Sequence, residues 1–441
     1  MNQLFSDSPD LPPRRAVWLR FRVGLRDYLE HLSLFSGNAR WYLLGAFLMG
    51  INFQVFLVLL NLYLKELGFP EGEIGWINSS RATGMALMAI PAGIMLSRMR
   101  LKPLLISGCV LFAVASFFIV SVPLVYMMMA AAVVSGMAFS IFRVAAGPFF
   151  MRNSSRRERT YLFSALFGVN TLAGILGALT AGRMAAFIGE WTGNQALGYQ
   201  YTLYMGIGVS LLALIPFAII RASKPSKDEG KLSISRAQLR ERGGFYFKIF
   251  FSNFLIGAGA GLTIPFLNLY FRDRFGLPPD IIGYYYGFVH LSMLVGTQFG
   301  PIIAKRYGLV RTVVITQTAS LPFLAALSYS YYLPLAAGAF ILRGGLMNLG
   351  QPIVTNMGME LARKSEQGLV NALLVVGWTS SWMFSTAIGG QLIEDYGYTF
   401  TMNLTILLYA VSTLTFFLFF RNEEKPNRNG PGWVLLHTDG G

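Results

Sequence analysis

The chain has 441 residues, of which 54% are hydrophobic, 14% aromatic and only 13% charged, and its mean hydropathy is +0.51. An average soluble domain carries about 25% charged residues, so this composition excludes a soluble multidomain protein and a disordered chain alike. The net charge of +15 raises nucleic acid as a partner, which the distribution of that charge tests below.

What remains is an all-α integral membrane protein. A membrane helix takes roughly 20 apolar residues, so twelve would occupy about 240. Residues 1–40 form a basic tail with no secretory signal. Within it Phe21, Leu25, Leu29, Leu32 and Phe35 fall at helical spacing beside Arg20, Arg22 and Arg26. That pattern fits an amphipathic helix on the membrane surface or an ordinary polar tail. Apolar segments follow at 41–64, 74–97, 103–121, 124–149, 160–188 and 199–220, and a polar stretch occupies 221–245. Six more apolar segments lie at 246–271, 281–303, 311–329, 333–357, 369–393 and 398–420, before a polar tail at 421–441. The predicted organisation is a six-helix bundle over 41–220, a central linker over 221–245 and a second six-helix bundle over 246–420.

With the N-terminus placed in the cytoplasm, 29 of the 36 Lys and Arg fall in or beside cytoplasmic segments, against three in outer loops, Lys65, Arg272 and Arg274. The positive-inside rule then puts both termini in the cytoplasm, and a multi-pass protein of the plasma (inner) membrane is expected. The same bias accounts for the net charge without nucleic acid.

The two halves repeat each other. Leu60-Asn61-Leu62-Tyr63 matches Leu267-Asn268-Leu269-Tyr270, and each is followed by Gly-x-Pro (Gly68, Pro70; Gly276, Pro278) and by Ile-Gly-aromatic (Ile74-Gly75-Trp76; Ile282-Gly283-Tyr284). Gly182 and Gly389 share the offset of 207 residues that separates Leu60 from Leu267. Parallel copies with a binding site at their interface are a secondary-transporter architecture. The loop after the second segment reads Gly93-Ile-Met-Leu-Ser97-Arg98-Met99-Arg100-Leu101-Lys102, and its copy carries Gly300, Ala304, Lys305, Arg306 and Gly308. This resembles the G-x-x-x-D-R-x-G-R-R/K loop of the major facilitator superfamily (MFS), in particular its bacterial general-solute and drug-efflux branch. Gly93, Arg98 and Lys102 match, whereas Ser97 replaces the Asp, Arg100 the second Gly and Leu101 a basic residue. The resemblance covers about 41–420. It implies an MFS fold of twelve transmembrane helices in two pseudo-symmetric bundles, a cavity lined by the first, fourth, seventh and tenth helices, and a conformational latch at Gly93, Arg98, Lys102, Gly300, Lys305 and Arg306.

Candidate chemistry follows from depth. No Asp or Glu falls mid-segment; the deepest are Glu66, Glu360 and Glu394, near boundaries. Arg343 lies about ten residues into its segment, about 15 Å deep and near the midplane, where an Arg costs about 2.5–3.5 kcal/mol on the lenient scale. With no acid at that depth, an anionic substrate would neutralise it, or helix carbonyls would. His290, at similar depth, is a coupling candidate because it titrates near neutral pH, or it is a hydrogen-bonded structural residue. Arg143 reaches a central cavity or snorkels to the interface, and Arg81 and Arg183 read as anchoring or gating residues. Gln54, Asn61 and Asn268, with Asn348 and Gln351, are substrate hydrogen-bonders or helix–helix contacts. Trp378 and Trp382, one turn apart, stack on a ligand or pack against helices.

The expected function is secondary active or facilitated transport of a small solute by alternating access, with basic residues favouring an organic anion or zwitterion. Proton-coupled multidrug efflux, for instance by antiport, is the alternative, and a non-transporting receptor or scaffold is a more distant one. An intramembrane enzyme lacks its nucleophile–base pair or metal site, and no Walker motif is present. The single Cys109 and the separated His31, His290 and His437 exclude a cysteine or histidine metal cluster. The expected partners are a small-molecule substrate and the lipid bilayer, with no cofactor and a monomeric chain.

Overall fold

The structure is a computed structural model and describes residues 35–154, 156–221, 240–363, 366–426 and 433–435. Most of the amphipathic segment and of the 221–245 linker lies outside the described residues. Every predicted apolar segment is helical. In chain order the helices are α1 (Gly37–Glu66), α2 (Glu71–Arg98), α3 (Leu101–Ser121), α4 (Val125–Asn153), α5 (Arg156–Thr192), α6 (Gln195–Leu212) and the short α7 (Leu214–Ile219). After the linker come α8 (Gly243–Thr263), α9 (Leu267–Phe275), α10 (Pro279–Tyr307), α11 (Leu309–Tyr329), α12 (Leu333–Leu361) and α13 (Gln367–Phe420). Ten stretches among the described residues are long and apolar enough to cross a membrane. The more polar α2 is not among them, and α13 counts once although Gly397, at φ 80°, breaks it where the sequence separates two segments.

Local chemistry places the breaks. Gly68 (φ 89°) and its repeat mate Gly276 (φ 64°) end the first helix of each half in the left-handed region, which a side chain would strain. Ser36 accepts from the Ala39 amide to start α1, and Asn194 accepts from the Ala196 and Leu197 amides to start α6. Between α8 and α9 the chain tightens into a 3-10 turn at Ile264–Phe266, around Pro265. Proline has no amide hydrogen to continue the ladder, so the turn before Pro265 loses one of its bonds.

The described residues are almost wholly helical, as expected, with one small β element besides. In the tail read as merely polar, β1 (Glu424–Pro426) pairs antiparallel with β2 (Trp433–Leu435). Strands of three residues are too short to register as periodicity. Glu424 anchors this hairpin: its carboxylate accepts from the Leu309 amide at 2.5 Å and the Val310 amide at 3.2 Å, capping α11. Burial pushes the Glu424 carboxyl above its ordinary value, and the two amide donors pull it part of the way back.

Packing divides the molecule by depth. At the end that carries Glu66, Arg272 and Glu394, one apolar core runs through both halves, from Val55, Leu59 and Tyr63 to Phe266, Tyr270 and Tyr409. At the opposite end there are two cores. One is built from the first half only, with Leu105, Phe149 and Phe217; the other from the second half only, with Val313, Met357 and Phe420. The halves are therefore fused at one end and separate at the other. Across the fused end α2 packs on α13 and α5 on α10. Lipid supplies no hydrophobic drive between helices, so small residues that let backbones approach decide such seams. A Cβ on Gly390 would sit 2.9 Å from the Gly75 Cα, and one on Gly182 would sit 3.1 Å from the Gly283 Cα.

Candidate substrate cavity

The space between the separated halves holds two adjoining cavities. The larger, about 550 Å³, is lined mainly by the second half, including Arg343, Asn348, Gln351, Trp378, Trp382 and Tyr409. The smaller, about 400 Å³, is lined mainly by the first half, including Phe53, Gln54, Phe139, Phe142, Asn170 and Phe217. Arg143 and His290 line both, so they stand where the two meet. Among the described residues no Asp or Glu lines either cavity.

Arg343 is 5% exposed. It donates to the Tyr409 hydroxyl at 2.9 Å, its guanidinium lies 5.5 Å from the Tyr409 ring centroid, and its Nε has no partner. Tyr409 lies 66 residues on, in α13, with no motif to mark it. The phenol and ring face offset part of the cost of the buried cation, but they carry no negative charge. Arg143 forms no hydrogen bond or ion pair among the described residues, and it is exposed to the cavities. Two guanidinium groups thus face one space without a carboxylate.

The Trp378 and Trp382 rings lie 5.7 Å apart on one wall, and the Trp382 Nε1 is unpartnered. Asn348 donates to the Gly344 carbonyl at 2.9 Å, which leaves its oxygen toward the cavity side of α12, and Gln351 is exposed. Gln54 and His290 meet across the halves, with Oε1 and Nε2 at 3.1 Å. The His290 ring packs where a Cβ on Gly174 would stand, so only glycine fits there.

Asn61 and Asn268 are not in the cavities. They clasp the two halves together at the fused end. Asn61 donates to the Pro265 carbonyl at 2.6 Å, Asn268 donates to the Val58 carbonyl at 2.8 Å, and the two amides meet at 3.3 Å. The Pro265 carbonyl receives its donor from the other half, while the Leu269 amide one turn on donates to the Asn268 Oδ1 at 2.9 Å. Around the clasp, Glu66 pairs with Arg272 at 2.6 Å, the Gly72 amide donates to Glu394 at 3.0 Å, and Arg183 donates to the Tyr284 hydroxyl at 3.0 Å. Two of the three boundary carboxylates therefore make contacts between the halves at the fused end. The third, Glu360, accepts from Asn356 at 2.7 Å. Arg81 lies over the Phe56 ring, 5.4 Å from its centroid, outside both cavities.

The loop residues lie at the separated end. Arg98, Lys305 and Arg306 are exposed, and Lys102 is half-buried. None of these four is in an ion pair among the described residues. A Cβ on Gly93 would meet nothing within 4 Å, while one on Gly300 would stand 3.4 Å from the Leu349 carbonyl oxygen.

Known proteins share this architecture. An MFS-type transporter of Aspergillus fumigatus is 23% identical over 420 residues, covering 87% of this chain and 89% of that protein. An uncharacterized MFS-type transporter of Bacillus subtilis is 25% identical over 183 residues, 40% of this chain, and the match spans only 45% of that relative. Among solved structures, the nucleoside transporter NupG superposes with a TM-score of 0.72 at 13% identity, covering 87% of this chain and all of that one (100%). An inward-facing, occupied bacterial homologue of the human lysosomal transporter Spinster gives 0.73 at 11% identity, covering 87% and 96%. At these identities the structural likeness speaks for the fold alone. The Major Facilitator Superfamily model itself matches residues 42–249 and 249–438, one stretch to each repeat, and the chain belongs to that superfamily of membrane transporters.

Proposed function

We propose that the chain is a secondary active or facilitated transporter that carries a small organic anion or zwitterion by alternating access. The observation that carries this is Arg343: a cation 5% exposed, lining the central cavity, with a phenol but no carboxylate beside it. An anionic substrate supplies the missing charge on binding. Arg143 is a second anchor, Asn348 and Gln351 provide hydrogen bonds, and the Trp378–Trp382 wall packs beside the bound head. Gln54 and His290, bonded across the halves, couple substrate occupancy to closure, and His290 supplies any proton sensitivity.

In this reading the chain has twelve spans in two six-helix bundles, in a plasma membrane, and works as a monomer. The Lys and Arg bias puts the separated end in the cytoplasm, so the conformation is inward-facing. The loops at Gly93, Arg98, Lys102, Gly300, Lys305 and Arg306 act as a latch that engages when that end closes. Proton-coupled efflux of lipophilic cations has less support, because no carboxylate among the described residues lines the cavities.

The test is flux in proteoliposomes across organic anions, zwitterions and lipophilic cations. A hydrogen bond to a charged group is worth about 1.5–3 kcal/mol, so Arg343→Ala is expected to weaken anion transport about 10- to 100-fold. Arg343→Lys should retain part of it, since it keeps the charge and loses the forked geometry. Wild-type anion flux in Arg343→Ala, or flux of cations alone, would overturn the reading.

A further inference from the structure

The two cavities differ in character, and the difference defines a substrate class. The larger lobe, though also walled by apolar side chains, carries the greater share of polar groups: Arg343, Asn348, Gln351 and the unpartnered Trp382 Nε1. The smaller lobe is walled by aromatic and aliphatic side chains, among them Met49, Phe53, Phe139 and Leu166, with the Phe53 and Phe139 rings stacked at 4.5 Å. Arg143, without a partner among the described residues, stands at the junction. Both volumes fall within the roughly 300–1,000 Å³ typical of small-molecule sites. A small, fully polar anion would fill only the first lobe and leave the second, apolar one facing water.

We propose that the substrate is an amphipathic organic anion whose head lies between Arg343 and Arg143 and whose apolar body enters the Phe53–Phe139 lobe. The proposal rests on the anion reading above and adds a second moiety to it. The charge arrangement favours this over an amphipathic cation, which would place a third positive charge beside two uncompensated guanidinium groups. Arg143 is then the hinge of the site: it serves the head from the lobe side and closes the neck behind the apolar body.

The test uses the full chain in nanodiscs of zwitterionic phosphatidylcholine, with butanoate, hexanoate and octanoate as probes and hexyltrimethylammonium as the opposite-charge control. Transfer of a methylene from water favours binding by up to about fourfold in affinity. Affinity is therefore expected to climb by nearly that factor per methylene in the wild type. Ala46→Phe, which fills the apolar lobe, should flatten the climb while butanoate binding stays within about twofold. Leu166→Ala, which deepens the lobe, should extend the climb to longer chains and keeps the test valid if the filled variant does not fold. Arg143→Ala should weaken all three anions by about tenfold.

Arg343-dependent binding with no chain-length dependence would overturn the proposal and leave the anion reading standing. A climb that survives Ala46→Phe unchanged, or that the trimethylammonium probe shares, would place the apolar body outside this lobe and also overturn it. Failure of every anion to bind in an Arg343-dependent way would defeat the underlying reading itself.

Discussion

Asn61 and Asn268 make the same bond in both directions. Each donates to the backbone carbonyl that is the repeat mate of the other's acceptor, Pro265 or Val58, and they meet at the centre. A buried amide hydrogen bond contributes about 0.5–1.5 kcal/mol net. Replacing both residues by valine is expected to shift the closed-to-open ratio of this end by about 1–2 kcal/mol, a factor of about 5–30. The buried Cys109 gives little background, so labelling of an introduced Ile264→Cys from that side reports the shift. Unchanged labelling in the double variant would deny the clasp a gating role. Glu424 makes a second residue-scale prediction. Its folded-state pKa lies above the ordinary value, so its ionised form weakens tail docking at neutral pH, and that weakening fades as pH falls through the raised value. Glu424→Gln, with one acceptor oxygen for the two amides, should keep part of the cap and lose the gain on acidification, whereas Glu424→Ala loses the cap, about 1 kcal/mol. Thermal unfolding at pH 5 and pH 7 checks both.

The repeat becomes mechanical at the level of helices. The α2–α13 seam closes at Gly75 and Gly390, and the α10–α5 seam closes at Gly283 and Gly182. The first pair maps onto the second when one half is laid on the other, to within a residue. Each closes by backbone approach, with a Cβ on Gly390 falling 2.3 Å from the Glu71 carbonyl oxygen and one on Gly182 falling 2.3 Å from that of Pro279. Alanine at either position forces the seam apart at a cost of about 1–3 kcal/mol. Both variants are expected to raise labelling of Ile264→Cys and to slow transport, while Gly168→Ala, with nothing within 4 Å of its Cβ, stays like wild type. Equal behaviour of all three would mean that the seams tolerate separation. The sequence marked Gly75 with Gly283 and Gly182 with Gly389 as repeat mates; only the packing brings in Gly390 and distinguishes the glycines that touch backbone from the ones that face open space.

For the molecule as a whole, the division into one shared core and two separate cores is the conformational state. Apolar side chains of both halves interlock where the clasp and the Glu66–Arg272 pair lie. At the other end each half keeps its own core and the cavities occupy the gap. In the proposed alternating access, rocking about the cavities exchanges which end interlocks, so the contacts of the closed end must be individually modest. The asparagine bonds, the Glu66–Arg272 ion pair, the Gly72–Glu394 and Arg183–Tyr284 bonds and the two glycine seams meet that requirement, because no single one holds the state.

The sequence by itself determined the helices, the repeat and the absence of a mid-segment carboxylate, because these rest on local apolar runs, spacing and composition. It also marked Arg343, since a charge at that depth has a cost that needs an explanation wherever the helix packs. Only the tertiary structure decided which polar residues face the cavity. Asn61 and Gln54 lie seven residues apart on the same stripe of α1, and spacing gave them one role. Yet Gln54 reaches the rim at His290, while Asn61 is consumed by the Pro265 carbonyl. The difference comes from the partner half, whose broken helix offers a carbonyl acceptor at one height and a histidine at the other, and no periodicity within α1 encodes that.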